Sequence, residues 1–207
     1  MVEWVVSKQL IDYDYAVKFM ESRVKLIHSG LEDELVWLLE HPSLYTAGIS
    51  ATDAEVIENL FPVYKTGRGG KYTYHGPGQR IVYLMLDLKK RNRCDVRLYI
   101  KDLSKLVINT LKHFNILGEF KEDRVGIWIN NNGVEEKIAA FGIRLRKWIT
   151  YHGVAINVSP DLSHYKGIVP CGLQNYGITS MKKLGAKVSL AEFDNILKQE
   201  FDKIFCH

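Results

Sequence analysis

Residues 68–79 read RGGKYTYHGPGQ, and the reading of the chain turns on this stretch. Four of its twelve residues are glycine and one is proline, yet Arg68, Lys71, Thr73, His75 and Gln79 are interleaved among them. Linkers do not combine those types. Gly69-Gly70 permits positive φ and lets backbone approach a partner that a Cβ would hold away. Pro77, between Gly76 and Gly78, fixes a turn. Tyr72, Thr73 and Tyr74 are strand formers whose side chains should alternate between two faces. The stretch predicts a short polar strand between two glycine hinges, with backbone N–H groups free for a ligand. The competing reading is a surface hairpin without one. Two generic phosphate motifs fail. A P-loop requires G-x-x-x-x-G-K-[ST], but Lys71 is followed by Tyr72 and Lys65 stands at the first glycine position. No G-x-G-x-x-G follows a strand, so dinucleotide binding has no support.

Outward from this stretch, residues 81–88 (IVYLMLDL) form an almost continuous apolar run of strand length, which predicts a central strand covered on both faces. Upstream, residues 34–40 (ELVWLLE) read as a buried strand entering the loop 41–48, where His41 before proline reads as a turn residue. Residues 2–6 read as a strand. Val17, Met20, Val24 and Ile27 recur at helical spacing over 12–29, and Gly30 ends that run. Asp53 is placed to cap a short helix through Leu60. Downstream, Asp95 should cap a helix reaching Phe114, with Tyr99, Leu103, Val107 and Leu111 on one face. Residues 125–129 read as a strand, Asn132-Gly133 as a hairpin turn, and the returning strand carries Lys137, Ala140, Phe141 and Gly142. A strand over about 148–158 contains Gly153, Val154 and Ala155. Residues 160–172 read as irregular. Ser189 and Glu192 form a capping box that opens a last amphipathic helix. No repeat, low-complexity tract or linker interrupts the chain, so one domain over residues 1–207 is expected.

Composition narrows the function classes. A net charge of +4 is too small to argue for nucleic acid but suits an acidic protein partner. Three cysteines, at 94, 171 and 206, make no C-x-x-C and no framework of pairs, which points to a reducing compartment. The start MVEWVVSKQ has no basic region or long apolar run, and no stretch approaches membrane-spanning length. A cytoplasmic protein, or a processed organelle form, without a membrane partner is expected. The seven histidines form no HExxH and no Cys/His cluster, so no metal is expected. Lys89, Lys90, Arg91 and Arg93 make either a solvated turn or a docking patch for an acidic carrier.

Cys171 stands in Val169-Pro170-Cys171-Gly172, a loop context that exposes a thiol on stiff backbone, whereas structural cysteines usually sit inside apolar elements. It is the candidate nucleophile. Cys94 lies among charged residues and reads as incidental. Lys137, in E-E-K, would by itself read as a solvated charge.

The stretch 68–79 resembles the RGG-x-x-TYHGPGQ signature of the lipoyl(octanoyl) transferases. His41, Pro42, Tyr45, Thr46 and Gly48 resemble that family's H-P-x-x-Y-T-x-G segment, and Pro170-Cys171-Gly172 resembles its catalytic cysteine site. The resemblance runs from the His41 loop to the loop after Cys171, nearly the whole chain. It implies an α/β fold, a mixed β-sheet with flanking helices, related to the catalytic domains of biotin and lipoate protein ligases. The implied reaction moves octanoyl from octanoyl-acyl carrier protein to a lysine of a lipoyl domain. Acceptors would be the lipoyl domains of 2-oxoacid dehydrogenase complexes and the glycine cleavage H protein. Cys171 would carry the acyl group as a thioester, with Lys137 lowering its pKa. A free thiol, at ~8.5, is mostly protonated at neutral pH, and a nearby ammonium favours the thiolate. Lys137 opens the run Ile138-Ala139-Ala140-Phe141-Gly142, whose small side chains leave room for an acyl chain. Arg68, Gly69, Gly70, Lys71, Tyr72, Thr73, Tyr74 and His75 match the family's first substrate-binding segment, Ala140, Phe141 and Gly142 its second, and Gly153, Val154 and Ala155 its third. His75 would either shuttle a proton or hydrogen-bond the loop. A monomer without cofactor is implied. Three alternatives stand beside this: an ATP-dependent lipoate or biotin ligase on the same fold, an octanoyl amidotransferase between lipoyl-type proteins, and a non-catalytic acyl- or carrier-binding module.

Overall fold

Apolar residues that alternate along the central strands dictate the architecture. The computed structural model describes residues 2–169 and 176–206. Its main sheet contains β1 (Val2–Leu10), β2 (Glu34–Glu40), β6 (Gln79–Met85), β7 (Glu119–Phe120), β8 (Ile127–Asn131), β9 (Val134–Arg146) and β10 (Ile149–Asn157). Their order is β1-β2-β6-β10-β9-β8-β7. The pair β1/β2 is parallel and the other neighbours are antiparallel, so the sheet is mixed. β2 and β6 are covered on both faces. Val36, Leu38, Val82 and Leu84 pack toward α2 (Val96–Lys112) and α3 (Leu190–Phe205). Leu35, Trp37, Leu39, Ile81, Tyr83 and Met85 pack toward α1 (Tyr13–Ser29). A one-residue slip would turn each set of side chains toward the wrong helices.

The helix ends follow their capping chemistry. Asp12 accepts from Tyr15 N, Gly30 closes α1 in the left-handed region, Asp95 accepts from Arg97 and Leu98 N, and Ser189 with Glu192 forms a reciprocal capping box. The short helix expected from Asp53 to Leu60 is not formed beyond a 3-10 turn, Asp53–Glu55. Thr52 gives it no side-chain cap, and the N–H groups of Ile57 and Glu58 bond to Gly167 O instead. The long-range bonds win over the local helix. A second 3-10 turn, Leu162–Gly167, lies in the stretch read as irregular.

A small second sheet, β4-β3-β5, sits on the α1 side: β3 (Leu44–Ala47), β4 (Val63–Lys65) and β5 (Tyr72–His75). β11 (Gly177–Ile178) runs parallel to β9, placing Ile178 opposite Lys137 where β10 has already ended.

Candidate active site

Between the two sheets lies a cleft of about 510 Å³, its open mouth included. Its floor comes from three adjacent strands: Ile81 and Tyr83 of β6, Gly153, Val154 and Ala155 of β10, and Ala140, Phe141 and Gly142 of β9. Gly153 pairs with Gly142, Val154 with Phe141 and Ala155 with Ala140, so the two sequence-selected tripeptides lie side by side. The roof is Arg68, Gly70, Lys71, Thr73 and His75. Three segments far apart in sequence thus meet at one cavity.

The period of β5 sorts the rest. Thr73 and His75 face the cleft, while Tyr72 and Tyr74 point the other way into a small core with Tyr45 and Tyr165. Gly69 is also absent from the lining. Of the two adjacent glycines only Gly70 has positive φ, +88°, and a Cβ on Gly69 would meet nothing nearer than Ile143 O at 3.7 Å. The hinge is Gly70.

Arg68 fastens the roof. Its Nη2 donates to Thr46 O (2.8 Å), Thr46 Oγ1 (2.6 Å) and Lys71 O (3.0 Å), and its Nη1 donates to Gly69 O (2.8 Å). Its stem crosses Gly142, where a Cβ would lie 2.7 Å from Arg68 Cδ. Gly142 is therefore glycine to admit Arg68. Lys71 is anchored to Glu55 at 2.6 Å.

Hydrogen-bond donors and acceptors settle how His75 is held. Gln79 Nε2 is the donor to Tyr74 O and Asn157 Oδ1, so Gln79 Oε1 accepts from His75 Nδ1 at 2.7 Å. Thr46 Oγ1 accepts from Arg68 and donates its hydroxyl proton toward His75 Nε2 at 3.2 Å. Both ring nitrogens are occupied. Burial first, then His41 and Arg68, hold the ring well below the usual imidazole range. A neutral ring with both nitrogens engaged braces the loop; of the two roles open from sequence, the geometry supports this one.

Tyr13, Ile81, Tyr83 and His152 line the cleft without having been singled out from the sequence. The first three come from elements whose apolar pattern reads only as core. His152 had one signal, a histidine beside glycine inside an apolar strand. It is buried, adopts φ +58°, and stacks on Tyr151 with its edge toward Tyr83. Burial, then Arg68 and Arg144, push it down to about 3. Nearby His41 is not a simple turn residue but a buried strut. It donates from Nδ1 to Ile11 O (2.6 Å) and accepts from Tyr83 Oη at Nε2 (2.7 Å), and burial lowers it to about 4.

A smaller cavity adjoins the cleft and shares Thr73, Ala140 and Ala155 with it. Lys137 lies on its wall, beside Ala139, Asn157, Tyr165 and Ile178. Lys137 is buried, contrary to the solvated reading of E-E-K, and its Nζ donates to Val125 O at 3.3 Å. Cys171 lies outside the described residues. On either side of it, Val169 N donates to Glu55 O, and Gly177 and Ile178 pair with Glu136 and Lys137. Cys94 and Cys206 are exposed and take no part in this lining. Among the described residues no group of His, Cys, Asp and Glu has a metal-binding arrangement, and no helix is long and apolar enough to cross a membrane.

Half of the basic run after β6 is committed to the fold. Arg91 is paired with Glu34 at 2.5 Å and donates to Phe205 O, and Arg93 is paired with Asp102 at 3.1 Å. Lys89 and Lys90 remain exposed.

Comparison with known proteins gives a consistent neighbourhood. Residues 12–202 match the model of the lipoyl protein ligase A/B catalytic domain. The chain is 74% identical to an octanoyltransferase of Wolbachia pipientis subsp. Culex pipiens, covering 99% of this chain and 100% of that one. An octanoyltransferase of Ehrlichia canis is 60% identical, over 99% and 96%. Among solved structures, a bi-partite lipoate protein ligase from Thermoplasma acidophilum superposes with a TM-score of 0.73 at 15% identity, covering 99% of this chain and 84% of that one. A biotin protein ligase from Aquifex aeolicus gives 0.58 at 13% identity, covering 100% and 69%. These two show the shared fold.

Proposed function

The chain belongs to the lipoyl protein ligase A/B catalytic domain family, and within it to the octanoyltransferases, and from this premise we propose a cysteine-mediated course for its acyl transfer. The donor is octanoyl-acyl carrier protein and the acceptor a lysine of a lipoyl domain. The Cys171 thiolate attacks the donor's thioester carbonyl. A new carbon–sulfur bond forms, and the carrier thiolate leaves and takes up a proton. The acceptor's ε-amine then attacks the enzyme thioester. The amide forms, the Cys171 sulfur departs, and the amine's proton is lost. A thioester donor is already activated, so neither ATP nor metal is required.

One observation carries this reading: a largely apolar cleft adjoins a cavity walled by the buried Lys137. An octanoyl chain would lie along Ala140, Phe141, Val154 and Ala155, with Tyr13, Ile81 and Tyr83 completing the apolar lining. Arg68, Gly69, Gly70, Lys71, Tyr72, Thr73, Tyr74 and His75 act as the first binding segment in two ways. Gly70, Lys71, Thr73 and His75 face the chain, and Tyr72 and Tyr74 anchor the strand from behind. Ala140, Phe141 and Gly142 with Gly153, Val154 and Ala155 form the floor. Lys137 serves the sulfur, favouring the thiolate by its charge and relaying protons to and from the reacting groups. The pairing of Ile178 with Lys137 tethers one end of the segment bearing Cys171 beside that lysine.

The test is mass spectrometry of the protein after incubation with octanoyl-carrier protein. An octanoyl adduct is expected in wild type, Cys94→Ala and Cys206→Ala, and none in Cys171→Ala. An adduct that persists without Cys171 would overturn the assignment. Free octanoate with ATP proving the better donor pair would instead favour a ligase reaction.

A further inference from the structure

Lys137 is held at the cavity by its neighbour across the sheet. Trp128 of β8 is the direct register partner of Lys137 on β9. Beyond this pair the register shifts, because Ile127 pairs with Ala139, leaving Ile138 as an extra residue on β9. Such bulges re-aim side chains beside active sites. The Lys137 stem passes over Gly126, where a Cβ would sit 2.8 Å from Cε, and the ammonium comes to rest 4.8 Å from the centre of the indole ring. That distance is within cation–π range, and the buried setting strengthens the attraction.

The indole has no freedom to follow a wandering lysine. Trp128 is 2% exposed, and its Nε1–H donates to Arg124 O at 2.9 Å. Tyr176 meets the ring edge-on at 5.1 Å. The Arg124 guanidinium lies 5.1 Å from the indole and 4.7 Å from the Tyr176 ring, and Asp123 and Glu135 balance its charge. A locked aromatic face therefore adds to the Val125 O contact in holding the end of a long side chain.

We propose that Trp128 is a positioning residue, whose ring face fixes the Lys137 ammonium where acyl transfer needs it; this rests on the reading that Lys137 serves the transfer. The indole touches no reacting atom and acts through the lysine. The test compares Trp128→Leu, which keeps an apolar filler without a π face, with Trp128→Phe, which keeps the face. Single-turnover acylation should slow about tenfold in the Leu variant and less than about threefold in the Phe variant. Equal losses in the two would overturn the proposal. A second readout needs no activity: reaction of Lys137 with an amine-reactive ester, followed by peptide mass spectrometry in folded protein. Release of the ammonium should raise that labelling several-fold in the Leu variant and leave it near wild type in the Phe variant. Unchanged labelling in both would also overturn the proposal. Full turnover in Lys137→Met would sink the transfer reading, and the labelling comparison would still decide whether Trp128 holds the lysine.

Discussion

His41 and His152 are imidazoles that the fold keeps from protonating. Both are buried, at 0% and 3% exposure, and burial is the leading cause of their low values of about 4 and about 3. A base depressed in the folded state stabilises the protein above its unfolded value, ~6.5, and that contribution is lost as pH falls through the folded value. The window therefore runs from about pH 6.5 down to about 4 for His41 and about 3 for His152. Asp194 opposes them. Burial raises its carboxyl to about 6 despite Arg80, so its contribution grows as pH falls from 6 toward the unfolded carboxylate value. His75 adds a third depressed imidazole and Asp102 a second raised carboxyl, so the net loss is on the order of 1 kcal/mol per pH unit between 6 and 4. Urea midpoints at pH 7, 6, 5 and 4 should fall steadily, and Asp194→Asn should fall more steeply because a counter-titrating acid is gone. Midpoints flat or rising from pH 7 to 5 would show that the imidazoles titrate normally.

The hairpin of β9 and β10 shows which features of an element are legible and which are not. Its existence was readable from Lys137 to Gly142 and from the apolar run around Val154. Its turn was not. Lys147 and Trp148 form the two-residue connection with φ +53° and +67°, a geometry whose usual signal is Asn-Gly. The preceding hairpin, built on Asn132 and Gly133 with φ +52° and +85°, carries that signal. Lys147→Asn should ease the first of these positions and stabilise by about 0.5 kcal/mol in thermal or chemical denaturation, with Trp148, 41% exposed and so more than half covered, left in place. Glycines within the strands are equally opaque to sequence, because their reasons lie on other strands. A Cβ on Gly153 would lie 2.1 Å from Val82 O, and on Gly142 it would strike the flexible stem of Arg68. Gly153→Ala should therefore cost about 3 kcal/mol or more in denaturant titration. Gly142→Ala should instead displace Arg68 and impair acyl transfer with a smaller loss of stability. Gly69→Ala should be near neutral in both measurements, and a severe loss there would contradict the roomy setting of Gly69.

Across the whole molecule, what could be read locally was the apolar runs of β2 and β6, the helix caps and the glycine-rich stretch. What could not be read was who meets whom. Arg91 illustrates the difference. In sequence it belongs to a run of cations that could be a carrier-docking patch; in the fold it joins three distant parts of the chain. Its guanidinium pairs with Glu34 at the start of β2 and donates to Phe205 O at the end of α3, while its own backbone follows β6. Both side chains are mostly buried, 16% and 14% exposed, so removing one partner leaves the other uncompensated. Arg91→Gln should cost about 3 kcal/mol, the lower end for breaking a buried pair. Lys89 and Lys90, exposed beside it, carry what docking charge the run has left. Reversing both, Lys89→Glu with Lys90→Glu, separates the two roles, because neither touches the Arg91 contacts. With the run acting as a structural joint, the reversed protein should melt within a few degrees of wild type and keep kcat/KM for octanoyl-carrier protein within about twofold, the small effect expected of solvated charges. A tenfold fall in kcat/KM that fades in high salt, with melting unchanged, would return the run to docking, because only a steering field is screened in that way.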